Sequence, residues 1–163
     1  MDKITPIKRS EELQPLSRDH HSGLLLCWKI RMGMEMGTAP KRIADYVVFY
    51  YNSHLESHFR EEELYVFTLV AANDAMVKKA MDDHREIEQL VKQLKSNTVD
   101  YTHLSKFEKL LNKHIRYEER ELFSYIEINS DNSGLKKAGE IIAGLHSNVS
   151  EPAWADDFWV KIK

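Results

Sequence analysis

The sequence predicts an all-α protein: an up-down antiparallel four-helix bundle with a short C-terminal helix and an aromatic tail. Gly and Pro, at 6 and 4 of 163 residues, are too scarce for a turn-rich sheet protein. Apolar residues recur at steps of three and four along four stretches of the chain, which is the period of an amphipathic helix. The connections between these stretches are short, and short connections make neighbouring helices antiparallel.

The first two helices are predicted at about residues 15–36 and 40–72. Apolar side chains form one stripe along each helix, and we expect this face to be buried. Gly37 ends the first helix. Thr38 is the expected N-cap of the second helix, and Pro40 lies in its first turn, where a missing N–H has no cost.

The third helix is predicted to begin after Asn73 or Asp74 and to end near Ser96. The fourth begins after Asp100 or Thr102, because these residue types accept hydrogen bonds from the first turn of a helix. An Asp-Asn-Ser-Gly segment then breaks the periodic pattern and indicates a turn.

A shorter amphipathic helix is expected at about residues 135–145. The chain is interpreted as one domain, with the bundle at about 13–129 and a C-terminal extension at 130–163. Three aromatic residues of the tail are expected to pack back on the bundle: Trp154, Phe158 and Trp159. The tail either caps one end of the bundle and controls access to its interior, or is buried in a homodimer.

The composition argues against several classes of partner. The 23 basic and 26 acidic residues leave a net charge of −3, which gives no reason to expect nucleic-acid binding. No apolar run is long enough to span a bilayer, and the N-terminal residues lack the apolar core of a secretory signal. Cys27, the single cysteine, excludes an internal disulfide and is expected to be an inert buried thiol. We therefore expect a cytoplasmic protein with no nucleic-acid or membrane partner.

One pattern occurs twice: His58-x-x-x-Glu62 in the second helix and His114-x-x-x-Glu118 in the fourth. Each glutamate is followed by a second glutamate, and an aromatic residue lies further on. Residues four apart share a helix face, and here that face is the apolar stripe. A buried carboxylate without a compensating charge is costly, and these stripes carry no Lys or Arg. The pattern therefore predicts a bound metal.

The other two helices add His20 and His84 on their inward faces. The predicted ligand set therefore has six members: His20, His58, Glu62, His84, His114 and Glu118. Four imidazole nitrogens and four carboxylate oxygens give two metals four donors each, and a bridging oxide or hydroxide adds a fifth. One position on each metal then stays open for a small molecule. Such mixed ligation suits iron, with manganese or zinc as weaker alternatives.

Three further residues are less certain metal ligands: His21, His54 and Glu88. His21 competes with its neighbour His20, although the apolar stripe favours His20. His54 lies one turn before His58 and is either an additional ligand, a group that contacts the ligands, or a half-buried polar residue. Five other polar residues are expected at the surface: Glu61, Glu63, Glu119, His103 and His146.

With these motifs in this order, and with Asp19 and Asp83 preceding two of the histidines, the sequence resembles the hemerythrin-like (HHE cation-binding) family over about residues 13–128. The resemblance implies a four-helix bundle around an oxo- or hydroxo-bridged di-iron centre, with the six residues above as ligands. Oxygen-carrying hemerythrins have a further histidine where this chain has Glu88. The chain is therefore similar to the bacterial four-histidine type, or to an oxygen-rich variant in which Glu88 also binds.

Family members bind O2 or NO, sense iron or oxygen, or help repair iron–sulfur clusters. The favoured interpretation is a non-haem di-iron protein that binds O2, NO or a peroxide for sensing, storage or stress response. A sensor of this size would need a redox or signalling partner protein. The alternative is a di-iron redox enzyme or an iron-handling or iron–sulfur repair factor. A structural bundle with a metal staple is a third hypothesis.

Overall fold

The computed structural model describes residues 7–149 and 151–162, and every regular element in these ranges is helical. The expected all-α class is therefore confirmed. A short 3₁₀ turn, Glu11–Leu13, precedes five helices: α1 (Gln14–Glu35), α2 (40–69), α3 (Ala75–Leu94), α4 (101–129) and α5 (Asn132–His146). Among the described residues, none of these helices is long and apolar enough to cross a membrane.

Helices α2 and α4 are not regular α-helices throughout. α2 consists of Pro40–Tyr50, a π turn at Tyr51–Leu55, Glu56–Glu61, a second π turn at Glu62–Val66 and a 3₁₀ turn at Phe67–Leu69. α4 consists of Tyr101–Tyr117, a π turn at Glu118–Leu122 and Phe123–Asn129. One π turn in each helix begins at the glutamate of the repeated motif, and such turns occur frequently at functional sites.

Two of the three N-cap predictions are confirmed. Asp74 and Asp100 accept hydrogen bonds from backbone N–H groups in the first turns of α3 and α4, as predicted. The prediction that Thr38 caps α2 is wrong, because Ala39 occupies the N-cap position and no side chain bonds to it. The carbonyl of Thr38 instead accepts a hydrogen bond of 2.6 Å from the hydroxyl of Tyr101.

The four long helices enclose two apolar clusters. α4 packs against α1 and α3, and α2 packs against α1 and α3. The larger cluster includes Ile43, Leu94 and Phe107, and the smaller one includes Leu13 and Ile126. Along α1 and α3 the chain passes from the smaller cluster to the larger, whereas along α2 and α4 it passes from the larger to the smaller. The direction thus alternates from helix to helix.

The aromatic tail packs on the larger cluster, as expected. Phe158 is 5 % exposed. A Cβ atom added to Gly33 would lie 2.8 Å from the Phe158 ring, so only glycine allows this close approach. Trp154 and Trp159 stand 5.5 and 5.1 Å from the ring of Tyr46, centroid to centroid. The tail therefore covers the C-terminal part of α1 and the N-terminal part of α2, which lie away from the smaller cluster.

Candidate metal centre

A layer of polar side chains separates the two apolar clusters. Six residues form this layer, each at most 4 % exposed: His20, His58, Glu62, His84, His114 and Glu118. Each long helix supplies one histidine, and α2 and α4 each add a glutamate. They meet because every one of them lies on the inward stripe of its helix, at the level where one apolar cluster ends and the other begins.

The six residues form two groups that share both glutamates. His20 and His58 make one group with Glu62 and Glu118, and His84 and His114 make the other with the same two glutamates. Within each group, one donor atom from every residue lies within 4.8 Å of the others. Each group therefore has the size and composition of a site for one metal ion.

Each shared glutamate directs one oxygen to each group. Glu62 Oε1 lies 2.8 Å from His58 Nε2, and Glu62 Oε2 lies 3.1 Å from His84 Nε2. Glu118 Oε2 lies 2.9 Å from His20 Nε2, and Glu118 Oε1 lies 3.1 Å from His114 Nε2. A carboxylate held in this way can bridge two cations.

Two glutamates outside the layer fix the outer nitrogens of two histidines. Glu119 accepts a hydrogen bond of 2.6 Å from His20 Nδ1, and Glu63 accepts one of 2.8 Å from His84 Nδ1. The prediction that Glu63 and Glu119 simply face solvent is therefore wrong. A carboxylate on Nδ1 holds the ring in the tautomer that turns the lone pair of Nε2 inward, and it makes the imidazole a stronger ligand.

Two aspartates do the same for the other two histidines. Asp19 Oδ2 lies 3.0 Å from His58 Nδ1, and Asp83 Oδ2 lies 3.1 Å from His114 Nδ1. Sequence reasoning gave these aspartates no role. A signal was present, because an Asp-His pair and a His-x-x-x-Glu-Glu segment each occur twice in the chain. The halves α1–α2 and α3–α4 thus contribute equivalent sets of side chains.

The inner atoms lack hydrogen-bond partners although they are buried. This holds for Nε2 of His58, His84 and His114, for Oε2 of Glu62 and for both carboxylate oxygens of Glu118. They approach one another closely, but in directions that do not make hydrogen bonds. A buried polar group left unsatisfied costs about 1–3 kcal/mol, so lone pairs that converge in this way indicate a cation between them. Imidazole and carboxylate donors fit iron, manganese or zinc.

The protonation of the cluster supports the same interpretation. Burial lowers the pKa of His58, but Glu62 and Asp19 outweigh it and raise this pKa to about 9. Burial and Glu118 raise the pKa of Glu62, but His58 and His20 outweigh them and lower it to about 2. Without a metal, protons on the histidines balance the two buried carboxylates. A metal ion would replace these protons.

The three less certain ligand candidates lie apart from the cluster. His21 is exposed on α1, and Glu88 is exposed on α3 with its carboxylate 3.4 Å from Lys92 Nζ. His54 is half-buried, and its ring stacks on Tyr50 at 4.7 Å between centroids. His54 belongs to neither group of buried donors, although it lies one turn before His58, and it is part of the first π turn of α2.

Two cavities reach the cluster from outside. One of about 190 Å³ is bordered by His58 and Asp19, and another of about 360 Å³ is bordered by His84, Glu63 and Phe59. The ring of Phe59 stacks on His84 at 3.9 Å. The cavities are bordered by His58 and His84 and by their outer carboxylates, whereas the inner Nε2 atoms of both rings are buried.

Comparison with known proteins gives one finding. A family model described as "Hemerythrin HHE cation binding domain" matches residues 11–126, a range that contains all six residues of the polar layer. No curated protein and no solved structure matches the chain.

Proposed function

This chain belongs to the hemerythrin HHE cation-binding family, and we propose that it is a non-haem di-iron protein that binds O2, NO or a peroxide for sensing, storage or stress response. The fold we propose is the up-down four-helix bundle, with α5 and the tail added to it. The alternating direction of the four long helices between the two apolar clusters supports this arrangement.

The proposed ligands are the six residues of the polar layer. His20 and His58 would hold one iron and His84 and His114 the other, with both glutamates between them. The observation that carries this proposal is that each buried glutamate directs one oxygen to each histidine pair. When bound, two irons with an oxo or hydroxo bridge supply one-electron chemistry and an open position for a small ligand; manganese or zinc are the alternatives.

The surrounding residues would orient the ligands and keep water away. The four outer carboxylates hold the Nδ1 atoms, so each imidazole keeps one orientation. Phe59 stacks on His84, and Phe123 stacks on His20 at 5.2 Å between centroids. Apolar side chains on both sides leave the centre in a low-dielectric environment, where charge interactions with a bound ligand are strong.

The position of Glu88 favours ligand binding over oxidative catalysis. A further carboxylate on the metals would have made the site oxygen-rich, as in di-iron enzymes of the ferritin-like type. Glu88 instead lies on the surface beside Lys92. The described residues therefore offer the buried centre four imidazoles and two carboxylates. The first alternative, a di-iron redox enzyme, thereby loses one feature in its favour, whereas the second, an iron-handling or iron–sulfur repair factor, does not depend on Glu88.

The test is metal content together with optical spectra of the purified protein, before and after anaerobic reduction and after addition of O2 or NO. We expect about two irons per chain and near-ultraviolet bands that respond to reduction and to the gas. Glu118→Gln should lower the iron content, whereas the matched surface variant Glu88→Gln should not. One zinc or no metal, with no spectral response, would contradict the proposal. Sustained turnover of NO or peroxide with a reductant would support the enzyme alternative.

We also propose a cytoplasmic location and a partner protein. A lone buried cysteine, Cys27, is compatible with the cytoplasm, where structural disulfides are rare. A sensor would pass its signal to a redox or signalling partner or to a second copy of the chain. The tail aromatics are largely engaged within the chain itself, which makes them a weak basis for a homodimer.

A further inference from the structure

A second group of metal-ligand side chains lies outside the buried centre. Asp19 on α1, Glu61 on α2 and His146 on α5 each offer one donor atom, and these atoms lie within 4.8 Å of one another. His146 Nε2 is 2.7 Å from Glu61 Oε2 and 3.7 Å from Asp19 Oδ2. The sequence prediction that Glu61 and His146 are unpaired surface residues is therefore wrong: α5 packs against α2 and brings His146 to Glu61.

These three side chains border the cavity of about 190 Å³ beside His58. Among the described residues that line this cavity, the charge is one-sided. Three carry carboxylates, three carry imidazoles and none is Lys or Arg: Asp19, Glu61, Glu151, His54, His58 and His146. The three carboxylates and the lack of Lys or Arg among these lining residues favour a cation over an anion.

We propose that Asp19, Glu61 and His146 form an accessory site for one divalent transition-metal ion, such as Mn²⁺, Zn²⁺ or Fe²⁺. Two carboxylates and one imidazole supply three donors, and water completes the coordination from the cavity. The imidazole favours a transition metal over Ca²⁺ or Mg²⁺, which prefer oxygen ligands alone. His54 lines the same cavity and is a candidate for a fourth protein donor.

Asp19 can bind a cation at this site and keep its hydrogen bond with His58 of the buried centre. Its Oδ2 atom holds His58 Nδ1 at 3.0 Å. A carboxylate has two oxygens and about four lone-pair positions, so Asp19 can accept the hydrogen bond and bind a cation at the same time. The accessory site and the centre are therefore neighbours that share one carboxylate. The accessory site requires no iron in the centre, so it does not depend on the proposed function.

The competing explanation is an ion pair. A direct contact of 2.7 Å between the His146 ring and the Glu61 carboxylate could join α5 to α2 without any metal. The two explanations differ in one measurable respect. Only a metal site binds an added cation, and it loses that binding when either His146 or Glu61 is replaced.

The experiment is a titration of the iron-loaded protein with Mn²⁺, followed by the loss of the electron paramagnetic resonance signal of free Mn²⁺. We expect one Mn²⁺ to bind to the wild type. His146→Gln and Glu61→Gln should each weaken this binding at least about tenfold, because loss of even a residue that only supports a ligand typically has an effect of that size. The matched controls are His103→Gln, which preserves the capping box with Asp100, and Glu86→Gln on the exposed face of α3. Both controls should bind like the wild type.

No Mn²⁺ bound by the wild type, or binding unchanged in both His146→Gln and Glu61→Gln, would overturn the proposal. Anomalous scattering from Mn²⁺-soaked crystals would locate the ion between α1, α2 and α5 or show it elsewhere. The iron content measured before the titration tests the proposed function separately. If the centre held no iron, the equivalent of Mn²⁺ that disappears on His146→Gln substitution would still report the accessory site.

Discussion

Replacing Asp83 by asparagine tests whether the outer carboxylates tune the centre. Asp83 Oδ2 accepts a hydrogen bond of 3.1 Å from His114 Nδ1, and its side chain is 16 % exposed. Burial raises the pKa of Asp83, but the hydrogen bonds and positive charges of His114 and Lys79 together outweigh burial and lower it. The carboxylate is therefore ionised at neutral pH and holds the proton of Nδ1. An amide has the same shape but no charge, and it can also present its NH2 group to the ring.

We expect Asp83→Asn to weaken metal binding by about 10- to 100-fold, which is the usual effect of losing such a partner. That range corresponds to about 1.4–2.8 kcal/mol. The neighbouring Asp82 provides the control: it is 60 % exposed and pairs with Arg85 on the surface, so Asp82→Asn should bind metal as the wild type does.

The assay is competition for metal with a chromophoric chelator at constant pH, with circular dichroism to show that both variants are folded. Glu63 accepts a hydrogen bond from His84 Nδ1 in the same way, so Glu63→Gln should give a loss of similar size. Equal affinities for the Asp83→Asn and Asp82→Asn proteins would refute the reasoning, since they would show that the outer carboxylates do not influence the ligands.

Four further predictions follow from local features. His58 must lose a proton to bind metal, so chelator competition should show Mn²⁺ affinity rising from pH 6.5 towards its raised pKa of about 9, and a flat profile would contradict this. Protonated His58 stabilises the metal-free protein fully below pH 6.5, and this stabilisation is lost as the pH rises through about 9. The melting temperature of the metal-free protein should therefore fall between pH 6.5 and about 9. Burial raises the pKa of Cys27 to about 12, so mass spectrometry should find the thiol alkylated by iodoacetamide only after denaturation. Urea denaturation should show that Gly37→Ala lowers the free energy of unfolding by about 1 kcal/mol, because Gly37 has a φ of +71° that alanine adopts only with strain. Gly144→Ala should raise the free energy of unfolding by about as much, because Gly144 lies in a helix and has open space around it.

The inward positions of the six polar-layer residues could be predicted from the sequence. His58 and Glu62 are four apart on an apolar stripe, and His114 and Glu118 repeat this in α4. Helical periodicity is local, because each turn is held by hydrogen bonds between residues close in the chain. Because burying a carboxylate without a compensating charge is costly, such a pattern indicates a bound cation.

The partners of these residues could not be predicted in this way. Glu119 and Glu63 lie one position after the inward glutamates, where helical periodicity alone predicts a solvent-facing side chain. In the structure each reaches a histidine of a different helix, at 2.6 and 2.8 Å. The π turns that begin at Glu62 and Glu118 also change the direction of the side chains that follow, and no apolar period revealed them.

By itself, the sequence determined the helical class, the inward faces of the helices and the donor types at the centre, since these depend on backbone hydrogen bonding and burial within single helices. Only the tertiary structure decided which oxygen of each glutamate meets which histidine, which outer carboxylate holds each ring, and that α5 brings His146 to Glu61. Those contacts join residues up to about a hundred positions apart. Their distances are set by how whole helices pack against one another, and no local period carries that information.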